Sequence, residues 1–78
     1  MKAIVRVSNI SQVRYYTSGD TDYLRVSYTD GNCSVWSVNN NEGSMNERKK
    51  REELEVAYNR ISNACRAVIE FVEFDIPD

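Results

Sequence analysis

The hydrophobic period of this chain changes near residue 40, and that change constrains the fold more than any other feature. Before it, apolar and polar side chains alternate over residues 23–29, as in a half-buried β-strand. After it, apolar or small side chains recur three and four positions apart, as on one face of a helix. That stripe consists of Leu54, Ala57, Tyr58, Ile61, Ala64, Cys65, Val68, Phe71 and Val72. The sequence therefore predicts an α+β fold in which one long amphipathic C-terminal helix packs on one face of a sheet.

The sheet is predicted to be an antiparallel meander of three to four short strands. Runs rich in β-branched and aromatic residues span about 2–8, 13–17, 22–29 and 32–38. Asp30 and Gly31 lie between the last two runs and favour a two-residue type I′ turn, because both residue types tolerate positive φ. A chain of 78 residues has room for one thin core, so residues 1–78 are expected to form a single domain.

The helix is predicted to span about 45–71, since Ser44 and Glu47 have the spacing of a capping box. It would be roughly 40 Å long, whereas the strands would span only about 25 Å. Part of the apolar stripe would therefore extend past the sheet. Polar and apolar residues alternate again in 72–78, which predicts a short terminal strand or an extended tail. Either this segment folds back over the stripe, or a second copy of the chain packs helix to helix as a homodimer.

A two-residue turn would also determine which side chains share a face. It would pair Arg25 with Trp36 and Tyr23 with Val38. The face toward the helix would then carry Leu24, Val26, Tyr28, Cys33 and Val35. Aromatic residues and arginine on the opposite face are typical of binding hot spots. The predicted partner-binding residues are Tyr23, Arg25, Trp36 and Arg14. A turn of another length would shift the register by one residue and send Trp36 into the core.

A second candidate site is the basic cluster at the start of the helix. It consists of Arg48, Lys49, Lys50 and Arg51. Basic side chains beside free helix N-terminal amides favour an anion, so these residues are candidates for binding an anion or a nucleic acid. The alternative is a solvated helix face neutralised by ion pairs four residues apart. Those pairs would join Arg48 to Glu52, Lys49 to Glu53 and Arg51 to Glu55.

Residues suited to catalysis are scarce, and we expect neither enzymatic activity nor a cofactor. The chain has no histidine, which excludes imidazole-based catalysis and imidazole metal ligands. Its three glycines are isolated, so none forms a phosphate-binding loop. Asp20, Asp22 and Asp30 are expected to serve turn geometry. Cys33 and Cys65 lack metal-ligand spacing and are expected to be buried free thiols.

Charge and size favour a protein partner. The net charge is −2 and the predicted sheet half is neutral, so counterion release would contribute little to nucleic-acid binding. The sequence contains no apolar run of membrane-spanning length and no leader pattern, which predicts a cytoplasmic protein without membrane contact. We expect a non-catalytic protein-binding module that acts by occluding a larger partner. Small accessory and inhibitor proteins of phages and bacteria are examples of this class. The alternative is a small nucleic-acid-binding domain that uses the sheet face and the basic cluster.

Overall fold

The computed structural model describes residues 1–39 and 45–76 and confirms the α+β class. The elements are β1 (Lys2–Arg6), a short 3₁₀ helix (Val7–Asn9), β2 (Ile10–Ser18), β3 (Thr21–Tyr28), β4 (Cys33–Asn39), α1 (Met45–Ala67) and β5 (Phe71–Asp75). The predicted cap at Ser44 lies outside the described residues. Among the described residues, no helix combines the length and the apolar content of a membrane span.

The strands form two antiparallel sheets. β2, β3 and β4 form the predicted meander, whereas β1 pairs with β5 in a two-stranded ribbon. β1 is not part of the meander, because the 3₁₀ helix changes the direction of the chain between β1 and β2. The amide of Val7, at the start of that helix, donates to the carbonyl of Glu70, 2.9 Å away, just before β5. The N-terminal strand is therefore joined to the C-terminal one.

The end of α1 differs from the prediction, because the helix stops at Ala67 and does not continue to Phe71. Val68 has a φ of 56°, in the left-handed region. The amide of Ile69 then donates to the carbonyl of Ala64 at 3.2 Å, the backbone bond of a Schellman-type helix end. Phe71 and Val72 consequently belong to β5, which is the short terminal strand that the alternation predicted.

β5 folds back over the helix and covers the stripe that the sheet is too short to reach. Its inward residues and the residue after it are buried: Val72, Phe74 and Ile76. They join one core with the helix residues Leu54, Ala57, Ile61 and Ala64 and the meander residues Leu24, Val26 and Val38. Of the two predicted covers for the stripe, the fold-back is present within one chain. A homodimer through the helix stays a prediction.

The β3–β4 connection contains three residues, not two. Tyr28 donates its amide hydrogen to Asn32 O at 2.8 Å, and Gly31 donates to Tyr28 O at 3.1 Å. Gly31 has a φ of 91°, so this is a type I turn followed by a glycine bulge. Asp30 Oδ1 accepts the amide hydrogen of Asn32 at 2.9 Å and supports the turn. The predicted register is therefore wrong by one residue, and β4 presents the opposite set of side chains to the helix.

Candidate functional site

Trp36 does not lie on the exposed face of the meander, contrary to the prediction. The three-residue turn pairs it with Leu24 and points it toward the helix side. Its ring meets the Phe74 ring edge-on, with centroids 5.6 Å apart and an interplanar angle of 82°. Trp36 is half-buried against the core. It is therefore a packing residue and not part of the exposed binding surface.

The same shift exposes two residues that were predicted to be internal, Cys33 and Val35. Both lie on the face away from the helix, and Val35 is 48% exposed. Cys33 and Cys65 are free thiols as expected, but Cys33 is exposed and Cys65 is half-buried. Neither is fully buried as the sequence suggested.

The other predicted partner-binding residues lie together on the meander face that the helix leaves uncovered. Arg14 and Tyr23 are neighbours of Arg25 across the β2–β3 ladder and along β3. The structure adds Tyr16, which lies opposite Tyr23, and Val35, which lies opposite Arg25. We call this surface the outer face: Arg14, Tyr16, Tyr23, Arg25 and Val35.

A column of stacked side chains forms the centre of the outer face. The rings of Tyr16 and Tyr23 are stacked, with centroids 5.1 Å apart and planes at 18°. The guanidinium carbon of Arg14 lies 5.3 Å from the Tyr16 ring centroid, which is cation–π distance. Two half-buried rings and one guanidinium therefore hold each other in fixed orientations. Such pre-ordered aromatic and arginine side chains lose little entropy when a partner binds.

Tyr16 was missed because no register was assigned to the β2–β3 pair. A two-residue connection, Gly19 and Asp20, joins Ser18 to Thr21 in the ladder, and Gly19 has a φ of 62°. Counting back from this tight turn pairs position 16 with position 23. The Ser18-Gly19-Asp20 sequence is the signal that favours this turn.

The charge of the outer face is uniformly positive. Arg14 and Arg25 are directly opposite each other, and both are exposed. Strand alternation places only uncharged side chains at the remaining outer positions of the described strands. Like charges directly opposite each other destabilise a sheet, so this pair works against folding. A carboxylate or phosphate between the two guanidinium groups would relieve the repulsion.

The basic cluster is not brought together with the outer face. α1 packs on the opposite side of the meander, so Arg48 to Arg51 lie on the other side of the sheet from Arg14 and Arg25. Arg48 and Lys49 are exposed, whereas Lys50 and Arg51 are half-buried. Among the described residues, none of the three predicted helix ion pairs is formed.

Arg51 instead contacts Asp22, whose predicted role was wrong. Asp22 does not lie in a turn. It is on the inner side of β3 and only 4% exposed. Its carboxylate accepts hydrogen bonds from Tyr15 Oη at 2.8 Å and Thr17 Oγ1 at 2.9 Å, and Arg51 Nε lies 3.5 Å from it. Asp22 thus links β2 and β3 to the helix, with the polar partners that a buried carboxylate requires.

This cluster shifts the pKa of Tyr15. Burial raises the pKa of its hydroxyl well above the usual value, and the hydrogen bond to Asp22 and its negative charge raise it further. The positive charge of Arg51 opposes the shift. The Tyr15 ring also packs against Tyr58, with centroids 5.9 Å apart. Tyr15 therefore stays a neutral hydrogen-bond donor near pH 7, which suits a structural role.

Comparisons of the chain with protein family models, with curated proteins and with solved structures found no match. The geometry of the outer face is therefore the basis for a function.

Proposed function

We propose that this chain is a non-catalytic protein-binding module whose outer face binds an acidic segment of a larger protein. The observation that carries this proposal is the Arg14–Arg25 pair beside the stacked tyrosines. Two guanidinium groups on adjacent strands can each form bidentate hydrogen bonds with a carboxylate. Tyr16 and Tyr23 supply apolar contact area and hydroxyl groups at the same place, and arginine and tyrosine dominate binding hot spots.

Binding would act by occlusion. A small domain bound through a sheet face covers the functional surface of its partner without performing chemistry, which is how small accessory and inhibitor proteins work. The exposed Val35 extends the outer face with an apolar contact next to Arg25. Apolar area surrounded by polar groups excludes water from the arginine–carboxylate contacts and strengthens them.

Nucleic acid is the alternative ligand, since phosphates also satisfy paired arginines. Two observations make it the weaker proposal. The basic cluster lies on the other side of the sheet, so it cannot extend the outer face into one continuous phosphate-binding surface. The Tyr16 ring already contacts both the Tyr23 ring and the Arg14 guanidinium, so a base would have to displace one of them to stack on it.

The test is affinity capture from the source cells with the wild-type chain and the variant Arg25→Glu. We expect the wild type to retain a specific protein and the variant to lose it. The control is Arg66→Glu, which makes the same charge change at an exposed position on the helix. If Arg66→Glu releases the partner as completely as Arg25→Glu does, net charge and not the outer face is responsible.

Direct binding assays separate the two ligand classes. A capped peptide rich in glutamate and duplex and single-stranded DNA are titrated against the wild type over a range of salt concentrations. Protein binding predicts saturable binding of the peptide that depends on Arg14 and Arg25. Tight DNA binding that falls steeply with salt would instead support the alternative.

A further inference from the structure

β1 has one free edge among the described strands. In the β1–β5 ribbon, Met1 and Ile76 exchange backbone hydrogen bonds, with Ile76 N to Met1 O at 2.7 Å and Met1 N to Ile76 O at 3.3 Å. Antiparallel pairs alternate between hydrogen-bonded and non-hydrogen-bonded. The amides of Ala3 and Val5 therefore point toward β5. The amides and carbonyls of Lys2, Ile4 and Arg6 point away from it, where none of the described strands pairs with β1.

A groove runs beside this free edge. It has a volume of about 390 Å³ and is lined by Ile4, Val5, Arg6, Asn9, Tyr28, Thr29 and Asp30. β5 contributes nothing to its lining, so the groove lies on the unpaired side of β1. Its other wall is the end of the 3₁₀ helix and the β3–β4 turn, which are joined by a hydrogen bond from Thr29 N to Asn9 O at 2.8 Å. The groove is therefore bounded by two backbone segments.

We propose that the free edge of β1 binds an extended strand of a partner protein, in which an apolar residue is flanked by acidic residues at alternate positions. The added strand would extend the two-stranded ribbon to three strands, and a two-stranded ribbon is marginal by itself. This site is separate from the outer face and does not depend on the function proposed for it.

The side chains of β1 favour a partner strand with an apolar residue between acidic residues. Ile4 is 66% exposed and lies between two cations, Lys2 and Arg6, on the solvent side of the ribbon. Every second side chain of a strand added to this edge would lie beside Lys2, Ile4 or Arg6. An acidic residue beside each cation and an apolar residue beside Ile4 would complement them. Lys2 already contacts Glu73 at 3.3 Å, but both side chains are largely exposed, and such a pair contributes little.

A second copy of this chain does not fit the edge. Antiparallel pairing of two β1 strands centred on Ile4 would place Lys2 of one copy opposite Arg6 of the other. Parallel pairing in register would place each cation beside its own counterpart. Both arrangements bring like charges together, which destabilises a strand pair. The two cations therefore disfavour self-association through β1 and favour an acidic strand.

The test uses the full-length chain and a short capped peptide in which glutamate, valine and glutamate alternate with threonine. Amide hydrogen exchange is followed by NMR. In the free protein we expect the Ile4 amide to exchange much faster than the amides of Ala3 and Val5, because only the latter two bond to β5. Saturating peptide should slow exchange at Ile4 by at least about tenfold. Slow exchange of Ile4 in the free monomer, or no slowing with peptide, would overturn the proposal.

Two control peptides separate backbone pairing from charge. A peptide methylated on the amides that face β1 should not bind, since it cannot donate to the edge carbonyls. A peptide with lysine in place of glutamate should bind roughly tenfold more weakly. Equal binding of the methylated peptide would show that strand addition is not the mode of binding.

Two protein variants complete the test. The double variant Lys2→Glu with Arg6→Glu should reverse the preference and bind the lysine peptide better, while protected amides at Ala3 and Val5 show that the ribbon is intact. Unchanged preference would contradict the proposal. Arg25→Glu should leave peptide binding at β1 unaltered, so failure of this site and failure of the outer face are distinguishable.

Discussion

Arg14 lies directly opposite Arg25 in the β2–β3 ladder, and strand alternation places only uncharged side chains at the remaining outer positions of the described strands. Arg14 is partly stabilised by the Tyr16 ring, 5.3 Å from its guanidinium carbon. A cross-strand pair of like charges lowers stability. Exposed residues that lower the stability of the folded protein are typical of binding surfaces, because selection for function retains them there.

The first prediction is that Arg25→Glu makes the protein more stable. The substitution turns a repulsive cross-strand pair into an attractive one, and we expect the free energy of unfolding to rise by roughly 0.5 kcal/mol. Urea denaturation at low salt measures the change. The double variant Arg14→Glu with Arg25→Glu restores a like-charge pair and should lose the gain. A lower stability of Arg25→Glu would show that the arginines do not repel each other.

The second prediction concerns the contact between Trp36 and Phe74. Phe74 is 1% exposed and its ring packs against Trp36, so Phe74→Leu should increase quencher access to the indole and shift its emission to longer wavelength. The loss of packing should lower stability by about 1 kcal/mol. Phe71→Leu is the control, because Phe71 lies on the exposed side of the same strand. Equal responses to both substitutions would contradict the assigned orientation of Trp36.

The elements of the fold could be predicted from the sequence, because alternation and helical periodicity report directly on burial. The alternation of β3 correctly places Leu24 and Val26 in the core. The orientation of β4 could not be predicted in this way. Asp-Gly occurs both in two-residue type I′ turns and, as here, where glycine follows a type I turn. One residue of difference inverts the strand, and this is why Trp36 was assigned to the wrong face.

The end of the helix was equally ambiguous in sequence. Helices commonly end at glycine, but here the left-handed position is taken by Val68, which fits the apolar stripe by spacing. Part of the candidate site could be predicted from the sequence, since Arg14, Tyr23 and Arg25 do share a face. Asp22 could not be assigned, because its partners include Arg51, which is distant in sequence and adjacent only after the helix packs.

The third prediction chooses between the two covers for the helix stripe: with β5 in place, we expect a monomer at micromolar concentration and not the homodimer that the sequence also allows. β5 covers the helix stripe within one chain, and Leu54, Ile61 and Phe74 are each at most 1% exposed. Among the helix residues whose exposure is described, Val56 is the one large apolar side chain left exposed, at 51%, and a single such residue is too small an area for helix-to-helix pairing. Sedimentation velocity should give the mass of one chain. A concentration-dependent dimer would show that a second copy adds to the cover that β5 provides.

The fourth prediction is a loss of stability at alkaline pH through Tyr15. Its hydroxyl has a raised pKa in the folded state, whereas its pKa in the unfolded chain is about 10. The contribution to stability is complete below pH ~10 and is lost as the pH rises above it, because the unfolded state then releases a proton that the folded state retains. Tyr15 should add at most about 1.4 kcal/mol per pH unit to the slope, because one group releases one proton.

Urea denaturation between about pH 9 and pH 11.5 measures this slope, since that range brackets the unfolded tyrosine pKa. Tyr15→Phe should be less stable at neutral pH, because Asp22 loses a hydrogen bond, but its stability should fall less steeply above pH ~10. Tyr16→Phe is the matched control, because it removes a tyrosine hydroxyl on the outer face and leaves the hydrogen bond from Tyr15 to Asp22 in place, so its stability at neutral pH should fall less than that of Tyr15→Phe. Identical slopes for the wild type and Tyr15→Phe would exclude Tyr15 as the source.

The fifth prediction is that Val68→Gly stabilises the protein. A β-branched residue in the left-handed region is strained by roughly 1–2 kcal/mol, and Val68 is 87% exposed, so its side chain contributes little packing in return. Glycine removes the strain but loses more backbone entropy on folding, by roughly 0.5–1 kcal/mol. The expected net gain in the free energy of unfolding is about 0.5–1 kcal/mol.

The matched control is Val56→Gly, which makes the same substitution at an exposed position inside α1. Glycine has no conformational advantage there and should lower stability by about 0.5 kcal/mol. Thermal and urea denaturation of the two variants should therefore give shifts of opposite sign. Destabilisation by both would mean that the backbone entropy lost by glycine at position 68 outweighs the strain that the substitution removes.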